Sequence, residues 1–157
     1  MGEALEMALT TRNQGKTEFT ISQALHTYFN VGDIAGVRVE GLEGKEYIDK
    51  VAGETSLQQK GAITIDGEVD RVYLDCPEDL IIVDEVLKRR VRIARQGSNS
   101  AVVWNPWAEK GAAFGDMGEE GYRNMLCVET SNVAKDTITL QPGKSFTQLS
   151  RYTVEPF

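Results

Sequence analysis

The sequence predicts an all-β fold, an antiparallel β-sandwich or barrel, on three observations. Short segments rich in Val, Ile, Thr, Phe and Tyr recur at roughly 8–12-residue spacing, the rhythm of strands that fold back on one another. Between them stand strand breakers: Gly41 and Gly44, Gly53, Gly61, Gly67, Pro77, Gly97, Pro106, the glycines from Gly111 to Gly121, and Pro142-Gly143. No segment carries two turns of apolar residues at helical spacing; Asp84–Lys88 and Glu119–Arg123 allow one turn each.

Taken in order, Leu5, Met7 and Leu9 alternate ahead of the turn-forming Asn13-Gln14-Gly15-Lys16. Phe19 to Gln23 alternates after it, so the spacing predicts an opening hairpin that ends near Phe29. Further strands are predicted at Val37–Glu40, Glu46–Val51, Ala62–Ile65, Val69–Leu74 and Leu80–Val83. Val91–Arg95, Ser100–Trp104, Tyr122–Thr130, Thr137–Leu140 and Ser145–Tyr152 complete the set. The first strand starts almost at Met1 with no earlier partner, which places it at a sheet edge or leaves the sheet incomplete. An apolar edge of that kind invites self-association. No repeat and no Pro- or Ser-rich linker divides the 157 residues, so residues 1–157 are read as a single domain.

Composition excludes several functions. With 24 acidic and 17 basic side chains the formal charge is −7, a poor match to a nucleic-acid backbone. Apolar runs such as Leu80-Ile81-Ile82-Val83 fall far below the ~20 residues of a membrane span. No secretory leader is visible at the start, and the expected location is cytoplasmic. Two cysteines, Cys76 and Cys127, and one histidine, His26, cannot assemble a four-ligand Cys/His zinc site. A Cys76–Cys127 disulfide is open on paper, but two reduced thiols are expected in the cytosol. There is no Walker or dinucleotide glycine loop: Gly61–Gly67 reads as a turn, and Gly111–Gly115 lacks the strand-then-helix setting. Serine-elbow and cysteine–histidine signatures are also missing. No metal and no cofactor is expected, so chemistry has to come from an acid–base pair.

Candidates for that pair are few. His26 ends a strand among aromatics, and its side chain can donate or accept a proton near neutrality; a half-buried structural histidine fits the same pattern. Glu129 ends the apolar string Leu126-Cys127-Val128, sharing one face of a pleated strand with Cys127 while Leu126 and Val128 take the other. If that face turns inward, desolvation raises the carboxylate pKa and suits it to act as a base; if outward, Glu129 is a solvated surface residue. Asp70 and Arg71 read as charged positions of an alternating strand. Trp104-Asn105-Pro106-Trp107 offers indoles for a sugar face and an amide for its hydroxyls, or simply a corner packed with tryptophan.

Six strings, in this order, then resemble one family. They are Ala24-Leu25-His26-Thr27-Tyr28-Phe29; Gly41-Leu42 with Tyr47-Ile48-Asp49-Lys50; Asp70-Arg71-Val72-Tyr73; Val103-Trp104-Asn105-Pro106-Trp107; Asp116-Met117; and Cys127-Val128-Glu129. The series resembles the hexose-6-phosphate mutarotases (glucose-6-phosphate 1-epimerases) of the aldose 1-epimerase, or galactose mutarotase-like, superfamily. The resemblance runs from about Leu5 to the C-terminus. It implies a galactose mutarotase-like supersandwich with a sugar on its concave face, and His26 and Glu129 as the catalytic pair. It further implies Asp70 as a substrate contact, with Asp75 nearby as a competitor; Asn105 and Trp107, offered by the residues themselves, complete the candidates for meeting the sugar. The substrate implied is a small-molecule sugar phosphate, with no nucleic acid and no membrane partner.

Members of that family are longer. The resemblance therefore implies that this chain corresponds to a C-terminal portion, with half of the sandwich and the phosphate-gripping arginines expected before Met1. Arg12, Arg38, Arg71 and Arg123 are present, but no motif assigns them to phosphate. The expected function is interconversion of the α and β anomers of a hexose 6-phosphate. The alternatives are a non-catalytic carbohydrate-binding sandwich, using Trp107, Asn105 and Asp70, or an inactive fragment.

Overall fold

The computed structural model describes residues 3–115 and 117–156. Asp116, in one of the six strings above, lies outside the described residues. The strands in chain order begin β1 Ala4–Arg12, β2 Phe19–Ile21, β3 Gln23–Leu25, β4 Tyr28–Asn30 and β5 Val37–Glu40. They continue β6 Glu46–Asp49, β7 Thr55–Gln58, β8 Ile63–Thr64, β9 Val69–Tyr73 and β10 Leu80–Asp84. The last are β11 Arg89–Gln96, β12 Ser100–Asn105, β13 Met125–Asn132, β14 Ile138–Leu140 and β15 Ser145–Pro156. One short helix, α1 Trp107–Ala112, follows β12.

Two antiparallel layers result. One runs β1-β15-β11-β10-β5-β8, the other β3-β13-β12-β9-β6-β7 with β4 beside β3 on β13, and β2 pairs with β14 in a small ribbon. The core lies between the layers because each strand turns alternate residues inward. Val39, Leu80, Ile82, Ile93 and Tyr152 from the first meet Tyr73, Ala101, Val103, Leu126 and Val128 from the second, all nearly or fully buried. The all-β sandwich prediction is thus met. Both cysteines are free and buried. No helix among the described residues is long and apolar enough to cross a membrane.

The opening hairpin does not form. β1 pairs along its whole length with the C-terminal β15, from Ala4 opposite Thr153 to Arg12 opposite Ser145. The turn signal at Asn13 is real but serves another purpose. Its side-chain amide donates to the carbonyls of Thr17 and Leu140, and its Oδ1 accepts from the Gly15 amide, so the chain is led out of one layer into the next. Asp84–Lys88 is the tight connection of the β10–β11 hairpin, with Asp84 Oδ1 accepting from the Leu87 amide, and not a helical turn. Near the second predicted turn, Gly121–Asn124 forms a 3₁₀ turn, and the strand after it starts at Met125, later than the expected Tyr122.

Candidate active site

The outer face of the second layer carries the site, and strand register assembles it. In β13, Leu126 and Val128 point into the core, so Cys127 and Glu129 point out. Register sets Glu129 opposite Val102, and Val102 opposite Val72. One step along, Cys127 faces Trp104 and Trp104 faces Asp70. The Lys50 amide bonds the Asp70 carbonyl at 2.9 Å and brings the end of β6 to the same place. His26 stands in the two-residue link between β3 and β4. Thr27 anchors that link on the inner side through a 2.7 Å hydroxyl contact with Tyr152, which leaves the imidazole on the outer side with Glu129.

The two groups meet directly: His26 Nε2 lies 3.1 Å from Glu129 Oε1. Their settings differ. The Glu129 side chain is 6% exposed and that of His26 49% exposed. Burial pushes the Glu129 carboxyl up to about 7, with the Asp70 carboxylate pushing the same way and the Lys50 ammonium opposing. Aromatic rings fix the imidazole: Tyr28 stacks on it at 4.8 Å and Trp104 meets it edge-on at 6.0 Å. Phe114 in turn braces Trp104. Beside Glu129, Val102, Val72 and Ile48 floor a hollow of about 290 Å³, with Lys50 and Glu54 on its wall.

Of the five residues predicted to form the site, His26, Glu129 and Asp70 share this face. Asn105 and Trp107 do not. Asn105 points inward, fully buried, and its amide donates to the carbonyls of Tyr122 and Met125 while its Oδ1 accepts from the Trp107 amide. Both N–H groups are used within the chain, and the buried side chain has no exposed surface to offer a sugar hydroxyl. Trp107 is turned away by a positive φ of 58° and packs against the core and Tyr122. The indole at the site is Trp104, which alternation from the core residues Ala101 and Val103 identifies. Tyr28 and Lys50 were also missed as site residues, although both lie within the strings quoted above.

Three of the four arginines named from the sequence have other uses. Arg38 pairs with Glu40 and Glu85, and Arg123 with Glu120. Arg71, opposite in direction to Asp70, lies against Asp49 and over the Tyr47 ring. Among the described residues no group of three His, Cys, Asp or Glu side chains is arranged to hold a metal ion.

Chemically, the arrangement places a carboxylate that titrates near neutrality within reach of an imidazole, beside an indole face and a second carboxylate. Comparison with known proteins gives this a family. The aldose 1-epimerase pattern matches residues 2–153. A candidate glucose-6-phosphate 1-epimerase of Cenchrus ciliaris is 42% identical over 151 residues, covering 93% of this chain and 46% of that protein. A candidate of the same name from Escherichia coli K12 is 43% identical over 115 residues, 73% of this chain and 39% of that one. The crystal structure of YeaD, a candidate mutarotase from Salmonella typhimurium, superposes with a TM-score of 0.90 at 33% identity, covering 99% of this chain and 51% of that one. The chain spans about half the length of the relatives it matches. It belongs to the aldose 1-epimerase family.

Proposed function

We propose that this chain carries the acid–base centre for interconverting the anomers of a hexose 6-phosphate, with Glu129 as base and His26 as acid. The observation that carries the reading is the 3.1 Å approach of His26 to a buried carboxyl held at about 7. Opening a hemiacetal needs a proton taken from the anomeric hydroxyl and one given to the ring oxygen. Both oxygens sit on the same carbon, so acid and base must be immediate neighbours, as this pair is.

Glu129 takes the hydroxyl proton, the C1–ring-oxygen bond breaks, and its electron pair collects the proton of the His26 imidazolium. The open aldehyde turns about C1–C2. Closure on the other face reverses both transfers, so the pair ends in its starting protonation state and no net oxidation occurs. Asp70 is suited to accept from ring hydroxyls, and Trp104 offers its face to the sugar C–H groups. Support for a 6-phosphate over a free sugar comes from the names of the Cenchrus and E. coli relatives.

The test is anomer exchange of glucose 6-phosphate measured by NMR magnetisation transfer, with free glucose in parallel. The expected result is exchange well above the buffer rate, reduced by about 10²–10⁴-fold in Glu129→Gln and in His26→Ala. Sugar binding without acceleration would instead identify a carbohydrate-binding module, and a folded chain that does neither would end the reading.

A further inference from the structure

The chemistry proposed for the pair dictates how a sugar ring must lie. C1 has two ring neighbours, the ring oxygen and C2. With the anomeric hydroxyl at Glu129 and the ring oxygen at His26, C2 projects away from His26. His26 lies on the flank of β13 that carries β3 and β4, so away from it means across β12, β9 and β6. The substituent on C2 therefore extends over the hollow beside Glu129.

That hollow is built from the middle of the layer. Its floor residues Val102, Val72 and Ile48 sit side by side on β12, β9 and β6, three strands each paired on both sides. Val102 is directly opposite Glu129, one strand spacing of about 4.8 Å away. Val133 and Ala134 also line the hollow, and Lys50 and Glu54 stand on its wall. A bare hydroxyl at C2 matches this space poorly. The hollow holds about 290 Å³, several times the roughly 30 Å³ of a water-sized group. Three branched aliphatic side chains also give a hydroxyl nothing to bond. Neither Lys50 nor Glu54 has an ion-pair partner among the described residues, so donor and acceptor are both available there.

We propose that the hollow is a subsite for an acylamino group on C2, so that the site takes 2-acylamino hexoses in preference to 2-hydroxy hexoses. This rests on the acid–base role of Glu129 and His26. The acyl methyl packs on Val102, Val72 and Ile48. The acyl oxygen accepts from the Lys50 ammonium, and the amide N–H, nearer the ring, donates to the Asp70 carboxylate. These two groups are neighbours, because the Lys50 amide bonds the Asp70 carbonyl and Asp70 stands opposite Trp104. A neutral amide suits such a wall, whereas the ammonium of a 2-amino sugar would be set as a charge against the aliphatic floor.

The test compares kcat/KM for anomer exchange of N-acetylglucosamine 6-phosphate with that of glucose 6-phosphate, by NMR magnetisation transfer, and repeats the comparison with the two free sugars. The acylamino substrate is expected to be favoured by about tenfold, the usual yield of one small apolar group in a matching pocket. Ile48→Phe, which fills the floor, should bring the ratio to one or below. Lys50→Met should lower the ratio and Lys50→Arg restore it; a ratio cancels the effect of Lys50 on Glu129, which both sugars share. Exchange of glucose 6-phosphate with a wild-type ratio of one or less would overturn the subsite and leave the acid–base reading standing. So would a ratio unmoved by Ile48→Phe and Lys50→Met, or a preference for glucosamine 6-phosphate over its acetylated form. Exchange of no sugar at all would overturn the acid–base reading and the subsite with it.

Discussion

At the scale of one residue, Glu129 is where folding and function oppose each other. Its pKa of about 7, against about 4.3 for a free glutamate, means the folded chain prefers the protonated form. Between those two values the folded state binds more protons than the unfolded one, so this group's contribution to stability falls as pH rises and is fully lost above 7. The cost at pH 8 is up to about 4 kcal/mol. Glu129→Gln removes it, so the variant should melt higher than wild type at pH 8 and equally at pH 4, while losing anomer exchange; thermal melts at both pH values check this. In the proposed mechanism exchange needs Glu129 ionised and His26 protonated together, so it should climb as Glu129 ionises toward about 7 and fall again at higher pH. Asp70 raises that midpoint and Lys50 lowers it. Asp70→Asn should therefore shift the rising limb to lower pH and Lys50→Met to higher pH, read from pH–rate profiles.

At the scale of the element, β12 and the corner after it show what kind of inference a strand pattern supports. Alternation along Ser100–Trp104 was legible, and with it the fact that Val102 and Trp104 share a face. The corner at Pro106 was not, because the backbone of Trp107 takes a left-handed conformation that no periodicity foretells. The loss of register there turned one indole to the site and the other to the core. Asn105 holds this corner together by closing three hydrogen bonds to the chain around it. Asn105→Ala would strand two buried carbonyls and an amide. It should cost about 1–3 kcal/mol of stability, measured by denaturant unfolding, and a substrate-contact role would instead appear as a raised KM at unchanged stability. The first hairpin failed for a related reason. Asn13-Gln14-Gly15-Lys16 has turn chemistry, and a sequence gives the turn without giving the strand it leads to. Pairing of β1 with β15 spans nearly the whole chain, and such non-local contacts leave no local mark. His26 and Glu129, about a hundred positions apart, are paired by elimination among few titratable candidates and by the family resemblance, while the strand pattern leaves open whether Glu129 faces in or out.

At the scale of the whole molecule, charge bears on which sugars arrive. The chain carries a net −7, and a hexose 6-phosphate is itself an anion. Around the site Glu129, Asp70 and Glu54 face Lys50 and His26, so the local balance is not strongly positive. Arg38, Arg71 and Arg123 are held by carboxylates elsewhere. Long-range repulsion should then slow encounter with a phosphorylated sugar, and ions screen it over a Debye length of about 10 Å at 0.1 M salt. Raising salt from about 20 to 200 mM should increase kcat/KM for glucose 6-phosphate and leave that for free glucose unchanged. A fall with salt would mean that a cationic pocket dominates the field at the phosphate. Comparing the two sugars separates this from a general effect of salt on the fold, because only one of them is charged.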